Sequence, residues 1–305
     1  MLLATLLTSF ETSDHLTLPG FMFSPKKKTK KVLLYLHGNG YTGVFRNIER
    51  LQIYSDALAA NNVAFFPFDN RGAYLVNKFN YIDENGKKQL KKAGSSYELI
   101  QECIFDIDGA IAYLETLGYT TFYLAGHSTG ANKIIVYNHY KKNNKISKYV
   151  LLGGGDDTGI YFETLGPQLF NELLQLSNEK CIHHQGGELI PLEKLSGQIL
   201  SFQSFYDLCN PDGDYNSFPY REYFNNYQLS QKQLLFYQFS QVTIPTLMIY
   251  GERDIYAWPK MNNMKKVLLQ KAHKDLDLTF FSIPSADHNF TGNLKKVIQA
   301  VISWI

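Results

Sequence analysis

A chain of 305 residues is long enough for one large domain, or for a core domain carrying a smaller inserted one. Hydrophobic residues at 45% and charged residues at 19% describe an ordinary soluble globular protein. The net charge of +2 excludes a dominant field of one sign, and no run of about 18 apolar residues offers a membrane span.

The opening MLLATLLTSF lacks a positive n-region and turns polar by Thr8 and Ser9, so it reads as a first strand rather than a leader. Strands are expected over Leu3–Phe10 and Leu16–Phe23, forming a hairpin across Thr12-Ser13-Asp14. The continuous apolar run Val32–Leu36 suits a strand buried on both faces, and it ends in His37-Gly38-Asn39-Gly40. A helix follows over Asn47–Ala60, then a strand over Val63–Phe68 that runs into Asp69-Asn70-Arg71-Gly72. Tyr74–Ser96 is polar and punctuated by glycine, which predicts a long loop. Tyr97–Leu117 is predicted helical with Gly118 as its stop, Thr121–Ala125 a strand, and Ala131–Lys141 a helix. Tyr149–Leu152 is a further strand, ending at Asp156 and Asp157.

From about Thr158 to Gln241 the strand–helix rhythm stops and Gln, Asn, Tyr and Phe accumulate. It resumes with a strand over Thr246–Tyr250, a helix around Lys260–Ala272, a strand over Leu278–Ile283 and a closing helix within Thr291–Ile305. The alternation predicts an α/β fold with a parallel, doubly wound sheet. Residues 1–157 and 242–305 form its core, and 158–241 are an inserted cap over the edge where such sheets bind ligands. Tyr161, Phe162, Phe202, Phe205, Tyr206 and Phe218 either line an apolar pocket in this cap or make its own small core.

Gly126-His127-Ser128-Thr129-Gly130 is a G-x-S-x-G between a strand and a helix. A nucleophile at that turn adopts a strained backbone, and bulky residues two positions away on either side would clash. His37-Gly38-Asn39-Gly40 supplies a turn whose backbone N–H groups can face inward, so the Asn39 and Thr129 N–H groups are the expected oxyanion hole. After Ser128, Asp254 follows a later strand end and His288 comes last, the order of a nucleophile, acid and base built on such a sheet. His288 is the expected general base for Ser128, with Asp254 fixing its tautomer. Asp156, Asp157 and Glu252 are the competing acids, and Asp287 reads as a residue that shapes its loop. His127 is expected beneath the elbow, and Arg71 in a structural salt bridge rather than on a substrate carboxylate.

The lysine runs at Lys26–Lys31, Lys87–Lys92 and Lys141–Lys142 read as solvated loops or helix ends, not a nucleic-acid surface. Cys103, Cys181 and Cys209 have neither metal nor disulfide spacing, which fits a reducing cytoplasm, with Cys103 a small apolar helix residue. His183 and His184 lack ligand spacing and read as surface.

The order HGNG, DNRG, GHSTG, GERD and ADH resembles the α/β-hydrolase superfamily over nearly the whole chain outside 158–241. GHSTGANK and its flanks are more weakly similar to hydrolases related to siderophore esterases. The superfamily resemblance implies an eight-stranded, mostly parallel sheet with helices on both faces, a Ser–Asp–His triad and a cap. Asn39 departs from the apolar or aromatic residue common there, which alters the pocket surface but not the backbone donor. The expected function is a serine hydrolase acting on a carboxylic ester or related acyl bond of a small molecule, without metal or organic cofactor. A peptidase or amidase with the same triad and a non-catalytic binding protein on this scaffold are the alternatives.

Overall fold

A computed structural model of the protein describes residues 2–82 and 85–305. Its main sheet has eight strands in the order β1-β2-β4-β3-β7-β8-β9-β10. These are β1 (Leu2–Glu11), β2 (Thr17–Pro25), β3 (Lys31–Leu36), β4 (Ala64–Phe68), β7 (Thr121–His127), β8 (Ile146–Leu152), β9 (Thr246–Gly251) and β10 (Leu278–Ile283). β1 and β2 form an antiparallel hairpin, β2 also runs antiparallel to β4, and the strands from β4 to β10 are parallel. The mostly parallel eight-stranded sheet expected from the sequence is therefore present.

Because side chains alternate across a strand, each central strand feeds two cores. Val32, Leu34 and Leu36 of β3 and Leu124 of β7 pack on one face with α2 (Cys103–Thr116), α3 (Thr129–Tyr140) and α8 (Met261–Lys271). Leu33, Tyr35, Tyr123 and Ala125 point the other way, toward α1 (Ile48–Ala60) and α9 (Leu294–Trp304). Polar side chains are excluded from both faces, which explains the continuous apolar runs. The chain leaves β3 through α1 to β4 on one side, then returns to β7 on the other. That reversal opens a crevice at the C-terminal ends of β3 and β7, where ligands of open α/β sheets bind.

The segment predicted as a loop over Tyr74–Ser96 instead contains a hairpin, β5 (Asn77–Ile82) with β6 (Lys88–Ala93), antiparallel from Asn77 against Ala93 to Ile82 against Lys88. This two-stranded ribbon lies off the main sheet and touches the core mainly through Phe79 and Ala93, too few positions to mark it by apolar alternation. The Lys87–Lys92 run accordingly falls largely on β6 rather than in a loop or at a helix end. The predicted helix Tyr97–Leu117 begins later: a 3₁₀ turn over Ile100–Glu102 leads into α2.

Between β8 and β9 lie four α-helices among the described residues: α4 (Asp157–Leu165), α5 (Pro167–Ile182), α6 (Phe202–Cys209) and α7 (Tyr220–Asn225). α5 is helical because Pro167 pre-sets its first turn and Phe170, Leu173 and Ser177 recur on one buried face, spaced by three and four. Phe170, Leu173, Phe202 and Phe205 make a separate small core against which Tyr161 and Phe162 pack. Phe218, Tyr220, Phe236 and Phe239 belong to the main core on the α3 face. The segment is tied to the loop before α2 by Ser201 N–H to the Ser96 carbonyl at 2.8 Å and by Ile100 N–H to the Asp207 carboxylate at 2.7 Å. Among the described residues no helix is long and apolar enough to cross a membrane.

Candidate active site

Ser128 stands between β7 and α3 with φ 57° and ψ −128°, a left-handed conformation that a serine adopts only when its surroundings impose it. The glycines of the motif permit the turn. A Cβ on Gly126 would run into the Gly130 carbonyl, and one on Gly130 would lie 2.5 Å from the Leu36 carbonyl oxygen. Ser128 is held from below by its N–H, which donates to the Leu152 carbonyl at 2.8 Å.

Three of the predicted residues meet in one chain of hydrogen bonds. Ser128 Oγ lies 2.9 Å from His288 Nε2, and His288 Nδ1 lies 2.9 Å from both Oδ1 and Oδ2 of Asp254. Asp254 follows β9, His288 follows β10, and both are buried. The Asp254 carboxylate is itself oriented, since Oδ1 accepts the Tyr256 N–H at 2.9 Å. The His288 backbone is anchored from beneath by His127, whose Nε2–H donates to the His288 carbonyl at 2.8 Å. Burial holds His127 well below its ordinary value, with Arg50 and His288 adding repulsion, so it is neutral.

The remaining acids are engaged elsewhere or lie apart. Asp156 caps α4 by accepting the Gly159 N–H at 2.9 Å, and its other oxygen accepts the Arg221 N–H at 2.5 Å. Burial pushes Asp156 up to about 7 despite those donors. Asp157 Oδ2 is buried without a hydrogen-bond partner. Glu252 is exposed, and Asp287 accepts the Thr291 N–H at 2.8 Å, which shapes its loop as expected.

The HGNG turn sits against the nucleophile: a Cβ on Gly38 would be 2.7 Å from Ser128 Cβ. Its orientation follows from His37, which is wholly buried. The Asn70 N–H donates to His37 Nε2 at 3.1 Å, so the ring proton resides on Nδ1 and donates to the Gly38 carbonyl at 2.8 Å. Burial, with repulsion from Lys133, pushes His37 down to about 3 and keeps that tautomer neutral. Fixing the Gly38 carbonyl also fixes the other side of the same planar peptide, the Asn39 N–H. Thr129, as the first residue of α3, has an N–H without an intrahelical acceptor.

A second layer was not legible as such in the sequence. The Lys133 ammonium, wholly buried, contacts the Glu98 carboxylate and donates to Asn70 Oδ1 at 3.0 Å, linking α3 to the turn that holds His37. Arg71 is 1% exposed and pairs with Asp106 and Asp14, each at 2.7 Å, a structural role as expected. Glu98 came from a segment read only as a helix start, and no spacing rule links it to Lys133. Among the described residues no group of His, Cys, Asp and Glu could hold a metal ion, and the three cysteines are unpaired. Two open surface depressions, one at Lys92, Tyr97 and Glu188 and one at Glu252, Lys260 and Ser282, contain neither Ser128 nor His288.

Solved structures share this architecture across almost the full chain. The esterase Est1E from Butyrivibrio proteoclasticus, solved with ferulic acid, is 15% identical with a TM-score of 0.60, over 97% of this chain and 96% of that one. An esterase domain from a Rhodothermus marinus protein is 14% identical with a TM-score of 0.59, over 99% and 98%. A thermostable carboxyl esterase from Bacillus coagulans, in complex with glycerol, is 15% identical with a TM-score of 0.62, over 99% and 98%. At such identities the likeness establishes the fold. No curated protein sequence matches the chain. A family model described as "Protein of unknown function (DUF1749)" matches residues 100–305, well over half of the sequence. The chain thus belongs to the DUF1749 family and has the α/β-hydrolase fold.

Proposed function

We propose that the protein is a serine hydrolase that cleaves a carboxylic ester of a small molecule through an acyl-enzyme on Ser128. The observation that carries this reading is the relay Ser128 Oγ–His288 Nε2–Asp254, with 2.9 Å at each contact. His288 takes the Ser128 proton as Oγ attacks the carbonyl carbon, and the Asn39 and Thr129 N–H groups receive the oxyanion. Asp254 keeps the His288 proton on Nδ1 and stabilises the imidazolium. The Nε2 proton then passes to the departing alcohol, and water repeats the sequence to release the acid. None of these steps calls for a cofactor.

The segment 158–241 is proposed as a cap, supported by its separate small core and by its attachment to the loop before α2. Phe202 and Phe205 pack within that small core, and Tyr256, whose ring lies 4.5 Å from the His288 ring, is proposed to face the substrate. We place the protein in the cytoplasm, on the strength of its unpaired cysteines.

The test is pre-steady-state release of p-nitrophenol from short-chain esters. A burst near one equivalent is expected, with a loss of about 10⁴ or more in rate for Ser128→Ala. Equal slow rates in both proteins without a burst would reject the nucleophile and favour a binding protein on this scaffold, while faster turnover of anilides than esters would favour an amidase.

A further inference from the structure

The ion pair between Lys133 and Glu98 has no part in the reaction written above. Both side chains are buried, Lys133 wholly. Burying two charges costs desolvation that an apolar pair of similar volume would avoid, so stability alone does not account for the pair. The surroundings are shaped to admit it. A Cβ on Gly72 would run into the Glu98 carboxylate, so the glycine of the DNRG turn leaves room for the acid. Lys133 itself stands five residues after Ser128, on the helix that the elbow begins.

From the ammonium an unbroken line of contacts reaches the proposed oxyanion donor. Lys133 donates to Asn70 Oδ1 at 3.0 Å, and the same oxygen accepts the Gly72 N–H at 3.0 Å. Two donors on that oxygen fix the orientation of the amide and leave its NH₂ toward the His37 carbonyl, 3.4 Å away. The Asn70 N–H meets His37 Nε2 at 3.1 Å, and the His37 ring donates from Nδ1 to the Gly38 carbonyl at 2.8 Å. The Gly38–Asn39 peptide is planar, so the Asn39 N–H turns with that carbonyl. Gly38 has little slack, since a Cβ there would lie 2.7 Å from Ser128 Cβ. One end of the line is thus the helix behind the nucleophile, and the other is the donor beside it. An oxyanion hole works only when its donors already stand where charge develops, and this line sets one of them relative to Ser128.

We propose that Lys133 is a positioning residue for the oxyanion hole, holding the Asn39 N–H in place against Ser128 through Asn70 and His37. This rests on the hydrolase reading and adds a residue to its machinery. Lys133→Met alone would strand the Glu98 carboxylate, so the test uses Lys133→Met/Glu98→Leu, which removes both charges, with the melting temperature as the folding control. Its kcat for p-nitrophenyl butyrate is expected to fall roughly tenfold to hundredfold with KM nearly constant, the scale of a misplaced catalytic group. Affinity for pentyl trifluoromethyl ketone, whose adduct with Ser128 places an oxyanion in the hole, should fall by a similar factor. A pair that serves packing alone leaves both quantities unchanged in a folded variant. That result, or a rise in KM alone, overturns the proposal. Asn70→Ala breaks the same line with the ion pair intact, so wild-type kinetics there overturn it even if the double variant does not fold. Labelling of Ser128 by a fluorophosphonate reads the hydrolase reading separately. A labelled wild type with an equally active double variant rejects the role of Lys133 alone, whereas a wild type that neither labels nor turns over rejects the hydrolase reading and this role with it.

Discussion

Asp254→Asn separates the proposed acid from its competitors, and its consequence can be worked from the hydrogen bonds. Oδ1 accepts both the Tyr256 N–H and the His288 Nδ1 proton at 2.9 Å, and Oδ2 also lies 2.9 Å from Nδ1. An asparagine keeps its carbonyl oxygen on the Tyr256 N–H, because turning the amide would set two donors against each other. Its NH₂ then takes the place of Oδ2, 2.9 Å from His288 Nδ1, and competes with the shared carbonyl oxygen so as to favour the ring in which Nδ1 accepts. The ring proton moves to Nε2, and His288 donates toward Ser128 Oγ instead of accepting from it. A base in the wrong tautomer costs about 10⁴ in kcat in the serine-protease precedent, so a fall of roughly 10³ to 10⁴ is expected here. The assay is steady-state hydrolysis of p-nitrophenyl butyrate from pH 6 to 9, with the melting temperature as a folding control. KM should change little, since the substitution touches no substrate atom. A fall of less than about tenfold in a folded variant would refute the reasoning and return the acid to Asp157.

Three further outcomes test the surrounding framework. Arg71→Met leaves Asp106, itself 1% exposed, without its cation, and is expected to lower stability by about 3–5 kcal/mol in urea denaturation; a loss below about 1 kcal/mol would show the cluster to be dispensable. His37→Ala frees the Gly38–Asn39 peptide, so kcat should fall roughly tenfold to hundredfold with KM nearly constant; a rise in KM alone would place the turn in ground-state binding. Asp157→Asn should raise the melting temperature at pH 8 and leave it unchanged near pH 4. The folded value of Asp157, about 6, lies above the ordinary 3.8, so the folded protein holds that proton longer and stability falls as pH rises between the two. Two units correspond to at most about 3 kcal/mol, fully felt above pH 7, and a variant that is less stable at pH 8 would show that the anion is paired after all.

The parts of this molecule legible in the sequence are those where backbone geometry restricts residue type. Gly126 and Gly130 are dictated by the closeness of the elbow to its own helix and to β3, and the apolar runs of β3, β4 and β7 by burial on both faces. The hairpin over 77–93 escaped because its inner face is only half-buried and carries Asn77, Gln89 and Lys91 beside Phe79, while Leu90 lies on the exposed face, so polarity does not follow burial. α5 escaped because three buried positions are diluted by Gln, Asn and Glu on its outer surface. The stretch from Tyr215 to Val242 lacks rhythm for a different reason: Phe218, Tyr220, Phe236 and Phe239 enter the main core from turns and short helical pieces, which impose no period.

The identity of the acid shows most sharply what pattern alone leaves open. Asp156, Asp157 and Asp254 all follow strand ends on the same edge of the sheet, so chain order treats them alike. Tertiary hydrogen bonds separate them. Asp156 receives the Gly159 and Arg221 N–H groups and thereby fixes where α4 begins. Asp254 receives the Tyr256 N–H and reaches His288. Asp157 receives no hydrogen bond at Oδ2, although each residue of a helix turns only about 100° from the last. Three identical side chains thus become a cap, a partner for histidine and a carboxylate with one oxygen left without a hydrogen bond, and only the tertiary neighbours of each decide which.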